Sequence, residues 1–145
     1  DIELNKRILR GGGKICIVPD TYCTYLARET FKALSKNNYG NGKWNILTVF
    51  YTKQFNSLSL RHFIPLLFIG SLLIPVVLSV LCGPFILLSI LSLLLFIIVL
   101  GIISFKLAMI KRLNMLYLFM SFVTLHLSYG WGSFVGIIKL PFIKR

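Results

Sequence analysis

Two long stretches of the chain are apolar and carry no charge. Between Arg61 and Lys106 there is no Asp, Glu, Lys or Arg for 44 residues, and a second uncharged stretch covers residues 113–138. A single helix of the first length would measure about 66 Å, roughly twice the hydrocarbon core of a bilayer at about 30 Å. Because Gly83-Pro84 favours a turn inside that stretch, the pattern predicts two membrane helices there and a third in the second stretch. The predicted spans are 63–82, 84–105 and 115–138.

The third predicted span differs from the other two in its polar and small residues. It contains His126, Tyr129 and Trp131. Small residues at a four-residue spacing allow helices to approach closely, so we expect this face to pack on the other two spans or on a further domain. The small residues at that spacing are Ser128, Gly132 and Gly136.

The N-terminal residues have the pattern of a piece of an α/β domain. Residues 1–10 carry a helical apolar stripe, three glycines follow, and residues 14–19 form a short apolar run typical of a strand. A lone helix and strand cannot bury a core. We therefore expect residues 1–44 to be the end of a larger domain, and the chain to be the C-terminal part of a longer protein.

The segment between this unit and the first predicted span is basic and amphipathic. Arg28, Lys32 and Lys36 share one face of a predicted helix. This face is either solvated or lies on anionic lipid headgroups. The glycine-rich 39–44 (YGNGKW) follows this helix, and the amphipathic spacing at 45–54 then predicts an interfacial helix. The predicted organisation is therefore 1–44 as the domain end, 45–62 as an interfacial linker and 63–145 as the membrane region, which makes the fold mainly α.

Composition and charge agree with a membrane protein. Hydrophobic residues make up 57% and charged residues 14%, against about 25% charged in soluble domains, which excludes intrinsic disorder. Three cysteines are too few for a disulfide scaffold, and none has zinc spacing. The net charge of +12 comes from bases that flank apolar spans, so anionic lipid explains it better than nucleic acid.

The positions of the bases predict an orientation in the membrane. By the positive-inside rule, the N-terminal part and the loop at 106–112 are cytoplasmic. The tail bases Lys139, Lys144 and Arg145 would then lie outside after three full spans. Either the tail departs from the rule, or the third segment is re-entrant or interfacial. The expected location is the cell (plasma or inner) membrane, with several spans.

Three segments together resemble the family 2 glycosyltransferases. Among these, the closest type is the succinoglycan-biosynthesis subgroup, which has a cytoplasmic GT-A domain followed by membrane helices. The first segment fits the pattern ED-x-ELN-x-R-x-x-x-GG-x-I with Asp1, Glu3, Leu4, Asn5, Arg7 and Gly12, and Ile15 follows one position later than the pattern has its Ile. The second fits with Arg28, Leu34, Tyr39, Gly40, Gly42 and Trp44, and the third with His126, Tyr129, Gly130, Gly132 and Gly136.

The resemblance implies inverting sugar transfer from a nucleotide-diphospho-sugar to a lipid-linked or polysaccharide acceptor. One carboxylate must then take the proton of the attacking hydroxyl, and the resemblance assigns that role to Asp1, which otherwise is a helix N-cap. Lys43 and Trp44 occupy the place of a Q-x-x-R-W-type element, in which the aromatic residue stacks on a sugar and the cation approaches the diphosphate. Here Lys replaces Arg and no Gln precedes it, which favours single-sugar transfer over processive polymerisation.

Several of these residues also have simpler interpretations. Trp44 is equally well interpreted as an interfacial anchor. His126 is either a hydrogen-bonded packing residue or a contact to the acceptor or a lipid phosphate. The family holds Mg²⁺ or Mn²⁺ with a D-x-D pair, which this chain does not contain, so we expect the metal only in the full-length enzyme and no cofactor here.

Two other functional classes remain open. One is a non-enzymatic membrane anchor or scaffold. The other is a transporter subunit, which usually places ionisable residues at the membrane midplane, where only His126 qualifies. For the leading hypothesis the expected partners are membrane lipids, and in the full-length enzyme a nucleotide-sugar donor and a lipid-linked acceptor, with no nucleic acid.

Overall fold

The computed structural model describes residues 2–53 and 60–143 of the chain, with side chains from residue 4 onwards. Within these ranges the regular structure is entirely helical. Short 3₁₀ turns lie at Leu60–Phe63, Gly83–Phe85 and Leu140–Phe142. The five α-helices are α1 (Ile2–Arg10), α2 (Phe31–Thr52), α3 (Ile64–Leu78), α4 (Ile86–Lys111) and α5 (Met115–Lys139).

The strand predicted at residues 14–19 does not form in the described chain. Residues 13–18 have no regular structure, and nearly all of residues 4–30 are exposed, with Ile17 at 92% and Tyr22 at 95%. A strand is stabilised by hydrogen bonds to a neighbouring strand. The described residues offer no second strand, so an apolar run that suits a sheet stays extended and unpaired.

The two helices predicted on either side of the glycine-rich segment form one helix. Helix α2 is continuous over 22 residues, from the N-cap Thr30, whose Oγ1 accepts a hydrogen bond from the Ala33 N–H at 3.2 Å, to Lys53, which has left-handed φ of 54°. Glycine inside a helix costs about 1 kcal/mol relative to alanine. Gly42 offsets that cost because it lies in a close helix contact.

Helices α3 and α4 form an antiparallel hairpin joined through the turn at Gly83–Phe85. The Phe68 and Phe96 rings stack with centroids 3.9 Å apart, and Ser89 Oγ donates a hydrogen bond to the Leu72 carbonyl at 2.8 Å. The helical segments Leu60–Leu78 and Gly83–Lys111 are both long and apolar enough to cross a membrane. They cover the first two predicted spans.

Helix α5 covers the residues of the third predicted span, but it is not confirmed as a membrane span. Among the described helices, only the two segments of the hairpin have the length and apolar composition of a membrane span. The sequence of α5 is more polar, since it interrupts its apolar residues with serine, threonine, histidine and glycine. Helix α5 instead packs on α2, α3 and α4 together, so it is the central helix of the described fold.

Candidate functional site

Among the glycines of the described residues, the closest approach to another helix is in the contact between α2 and α5. A Cβ added to Gly42 would overlap the carbonyl oxygen of Tyr129 and would lie 3.0 Å from the backbone nitrogen of Ser133. A Cβ added to Gly132 would overlap the carbonyl oxygen of Tyr39 and would lie 2.9 Å from its carbonyl carbon. The two backbones touch at these places because both residues lack a side chain.

We define the glycine crossing as Tyr39, Gly42, Tyr129, Gly132 and Ser133. It contains one hydrogen bond, and a further close contact lies beyond it. The Ser133 Oγ is buried and donates a hydrogen bond to the Gly42 carbonyl oxygen at 3.2 Å. One turn further along α5, a Cβ on Gly136 would lie 3.0 Å from the Ile46 Cβ and 3.1 Å from the Lys43 carbonyl oxygen. The crossing therefore has both a steric and a polar component.

The contacts show that α2 and α5 run parallel. At the start of both helices the Phe31 and Tyr117 rings stack, with centroids 6.3 Å apart and planes 7° apart. Gly42 follows against Tyr129, and Ile46 follows against Gly136. Since positions advance together along both helices, the contact extends over most of α2.

The small-residue face predicted on α5, Ser128, Gly132 and Gly136, packs closely at its two glycines, and the partner of both is α2. Gly132 and Gly136 face α2, whereas Gly130 faces α3, where an added Cβ would lie 2.9 Å from the Pro65 carbonyl carbon. Ser128 donates a hydrogen bond to the Thr124 carbonyl within α5. The expected partner was the other two spans or a further domain, and the structure adds α2.

A signal in the sequence could have identified α2 as the partner. The tetrapeptide YGNG at residues 39–42 and the tetrapeptide YGWG at residues 129–132 have the same pattern. In both, the first and last residues make the reciprocal contact across the helix pair. The first tetrapeptide was placed between two predicted helices, and so the correspondence between the two was missed.

Lys43 and Trp44 lie on α2 directly beside the crossing. The Lys43 side chain is half-buried, and its carbonyl is the one nearest to Gly136. The Trp44 side chain is 59% exposed. An indole exposed to this extent is free to stack on a planar or ring-shaped ligand. Consecutive residues of a helix do not face each other, so the Lys43 ammonium projects to a different side of α2.

His126 lies on the side of α5 that faces α4, whereas Lys43 and Trp44 belong to α2. Its Nδ1 is 3.0 Å from the Phe122 carbonyl, so Nδ1 carries the proton and Nε2 is an acceptor in the neutral ring. The ring edge meets Phe96 of α4 at a centroid distance of 5.7 Å and an angle of 69°. Ten residues, about 15 Å of helix, separate it from Gly136, and the structure does not bring it together with Lys43 and Trp44.

An open apolar groove of about 450 Å³ lies beside the crossing, between α3 and the C-terminal half of α5. Its volume is within the range of ligand sites, about 300–1,000 Å³. The lining is aliphatic apart from Ser71 and one aromatic ring from α5. The lining residues are Leu66, Leu67, Gly70, Ser71, Ile74, Pro75 and Phe134.

The remaining candidate groups are dispersed. Asp1 lies outside the described residues, immediately before α1 in the sequence, and the Glu3 side chain is outside them as well. Within residues 2–53 and 60–143, no three His, Cys, Asp or Glu side chains form a group that could hold a metal ion. The three cysteines are exposed free thiols. The described residues therefore do not fit the Mg²⁺ or Mn²⁺ that the family resemblance implies.

The described fold and site define an α-helical protein in which two helices are apolar enough to cross a membrane. A third helix, α5, packs on that hairpin and on α2 through glycines. No protein-family model matches the chain, and no curated protein and no solved structure is significantly similar to it.

Proposed function

We propose that the chain is the membrane-anchoring C-terminal part of an inverting family 2 glycosyltransferase. In this role it holds a catalytic domain at the cytoplasmic face of the cell membrane. The whole enzyme transfers a sugar from a nucleotide-diphospho-sugar to a lipid-linked or polysaccharide acceptor in surface polysaccharide synthesis.

The glycine crossing is the observation that supports this proposal. The second and third segments of the family resemblance lie 82 residues or more apart in the sequence, yet Tyr39 and Gly42 of one segment contact Gly132 and Tyr129 of the other. Two segments with unrelated roles would have no need to contact each other. A shared contact surface is expected if both belong to one architecture that connects the catalytic domain to the membrane helices.

The residues beside the crossing have a role in this proposal. The exposed Trp44 indole stacks on a sugar ring, and Lys43 places a positive charge near the diphosphate of the donor or acceptor. Asp1 accepts the proton as the acceptor oxygen forms its bond to the anomeric carbon and the bond to the diphosphate breaks. The nucleotide and its metal ion bind in the preceding domain of the full-length enzyme.

The apolar groove supports a lipid-linked acceptor over a soluble one. It opens on α3, a helix apolar enough to lie in a membrane, and its aliphatic lining matches a hydrocarbon chain. Phe134 of the groove is next to Ser133 of the glycine crossing.

For the topology we propose a hairpin of two spans, α3 and α4, with α5 not crossing the membrane. Helix α2 runs along α5 and carries Lys32, Lys36 and Lys43. A lysine at the bilayer centre costs about 2.5–3.5 kcal/mol, which opposes burial of α2 in hydrocarbon. Two spans also place every basic segment, including the tail, on the cytoplasmic side.

The test is an assay of sugar transfer by membranes that contain the complete gene product. Radiolabelled nucleotide-sugars are supplied, and label in the lipid fraction is measured against membranes without the protein. Transfer supports the proposal. Correct insertion without transfer from any nucleotide-sugar would favour the non-enzymatic anchor instead.

A further inference from the structure

The structure brings bases from two distant segments to one end of the α2–α5 pair. The stacking of Phe31 on Tyr117 joins the first turn of α2 to the first turn of α5. Bases precede and follow Phe31, and two others lie at the end of α4 and directly after it, before α5 begins. We define these residues as the basic cluster: Arg28, Lys32, Lys36, Lys111 and Arg112.

The side chains of the basic cluster are all exposed. Arg28 is held against α2, since its guanidinium donates a hydrogen bond to Asn37 Oδ1 at 2.9 Å and contacts the Tyr25 hydroxyl. Glu29 is the only carboxylate of the described residues within the sequence segments that form the cluster. The cluster therefore keeps a strong positive charge, and an anionic partner fits it.

The position of the cluster indicates which anion that is. Lys111 is the last residue of α4, whose 26 residues measure about 39 Å, more than the hydrocarbon core at about 30 Å. If α4 spans a membrane, its Lys111 end emerges at the level of the lipid headgroups. Tyr25 and Tyr117 beside the cluster are 75% and 66% exposed, and tyrosine is enriched at that level.

We infer that the basic cluster is a docking surface for anionic lipid headgroups, which clamps the start of α2 to the membrane surface beside the end of α4. Two separate segments contribute bases, so binding of lipid headgroups to the basic cluster stabilises the α2–α5 pair at the membrane. The inference requires that the hairpin spans a bilayer. It does not require sugar transfer.

The experiment uses the full chain reconstituted into phosphatidylcholine nanodiscs. Electron spin resonance gives the association of spin-labelled phosphatidylglycerol relative to spin-labelled phosphatidylcholine. We expect the wild type to prefer phosphatidylglycerol. In the double variant Lys32→Gln/Lys111→Gln, the preference should fall by a factor of up to about five for each lysine removed. The reason is that each base near an anionic surface contributes about 1 kcal/mol.

A matched variant controls for net charge. Lys14→Gln/Lys139→Gln removes the same two charges from exposed positions outside the cluster, and Lys139 is in the last turn of its helix as Lys111 is. We expect this control to keep the wild-type preference, and Lys32→Arg/Lys111→Arg to keep it too. In 1 M salt, where the Debye length is about 3 Å, the preference should disappear.

Three outcomes would overturn the inference. One is a wild type without any preference for phosphatidylglycerol. Another is an equal loss in both double variants, because net charge alone would then be responsible. The third is removal of the preference by millimolar inorganic phosphate at constant ionic strength, which would show a site for a soluble phosphate compound. A failed sugar-transfer assay would leave these results unchanged.

Discussion

Gly42 of α2 and Gly132 of α5 have equivalent positions in the contact between their helices. Each lies against the carbonyl group of the tyrosine three residues before the other, Tyr129 for Gly42 and Tyr39 for Gly132. Any side chain at either glycine would meet backbone, which cannot move aside as a flexible side chain can. The helix pair therefore depends on these two positions.

We predict that Gly42→Ala destabilises the protein by about 1–3 kcal/mol, the usual cost of forcing an extra group into a packed contact. Gly40→Ala is the matched control, since a Cβ there would have no described atom of another segment within 4 Å. It should be neutral or gain up to about 1 kcal/mol in helix propensity. Unfolding in detergent followed by circular dichroism measures both. Equal stability of the two variants would contradict the crossing.

A second prediction concerns two buried serines. Ser133→Ala removes the interhelical hydrogen bond to the Gly42 carbonyl and should cost about 0.5–1.5 kcal/mol. Ser104 is fully buried, and its Oγ has no hydrogen-bond partner in the described structure. Removing an unsatisfied buried hydroxyl should be neutral or stabilising, so Ser104→Ala should not weaken the protein. The same unfolding experiment tests whether Ser133→Ala lowers the stability while Ser104→Ala does not.

The topology predicts which positions a membrane-impermeant thiol reagent can reach. In a background with Cys16 and Cys23 replaced by serine, the native Cys82 near the hairpin turn should be labelled from outside intact cells. Cysteines introduced at Asn114→Cys and Phe142→Cys, in a background that also lacks Cys82, should be labelled only after the cells are opened. If Phe142→Cys reacts in intact cells while Asn114→Cys does not, α5 crosses the membrane and the two-span topology is wrong.

The hairpin could be predicted from the sequence because its signal is local. A run of 44 residues without Asp, Glu, Lys or Arg, interrupted by Gly83-Pro84, contains both the helical lengths and the turn. The helical form of residues 115–138 was also predictable. Its role was not, because length and apolarity alone do not reveal that a polar helix, α2, runs along it.

The parts that could not be predicted depend on contacts distant in sequence. YGNGKW has the composition of a loop, and only its contact with α5 explains why Gly42 is helical. The run at 14–19 has the composition of a strand, but a strand needs a partner that the described chain does not provide. At the candidate site, Lys43 and Trp44 could be placed beside each other from sequence alone, whereas the packing of His126 on Phe96 could not.

We predict that Trp44→Ala in the complete gene product raises the KM for donor or acceptor with little change in kcat, as loss of a binding contact does. Trp44→Phe should retain part of the affinity because the ring can still stack. Trp131 provides the control, since it is the other indole and is 49% exposed on α5. If Trp131→Ala and Trp44→Ala have the same effect on KM, both are interfacial anchors and Trp44 does not bind the sugar.

The most direct measurement of the proposed activity compares wild type with Asp1→Asn in the complete gene product. Membranes with equal amounts of each protein receive radiolabelled nucleotide-sugar, and label in the lipid-linked product is counted. Asparagine can still cap a helix, but it cannot take the proton of the acceptor hydroxyl, so we predict a rate lower by about 10²–10⁴-fold. If Asp1→Asn transfers sugar at a rate within about threefold of wild type, the loss is far smaller than that expected for a general base. Asp1 is then not the catalytic base, and the proposed mechanism is wrong.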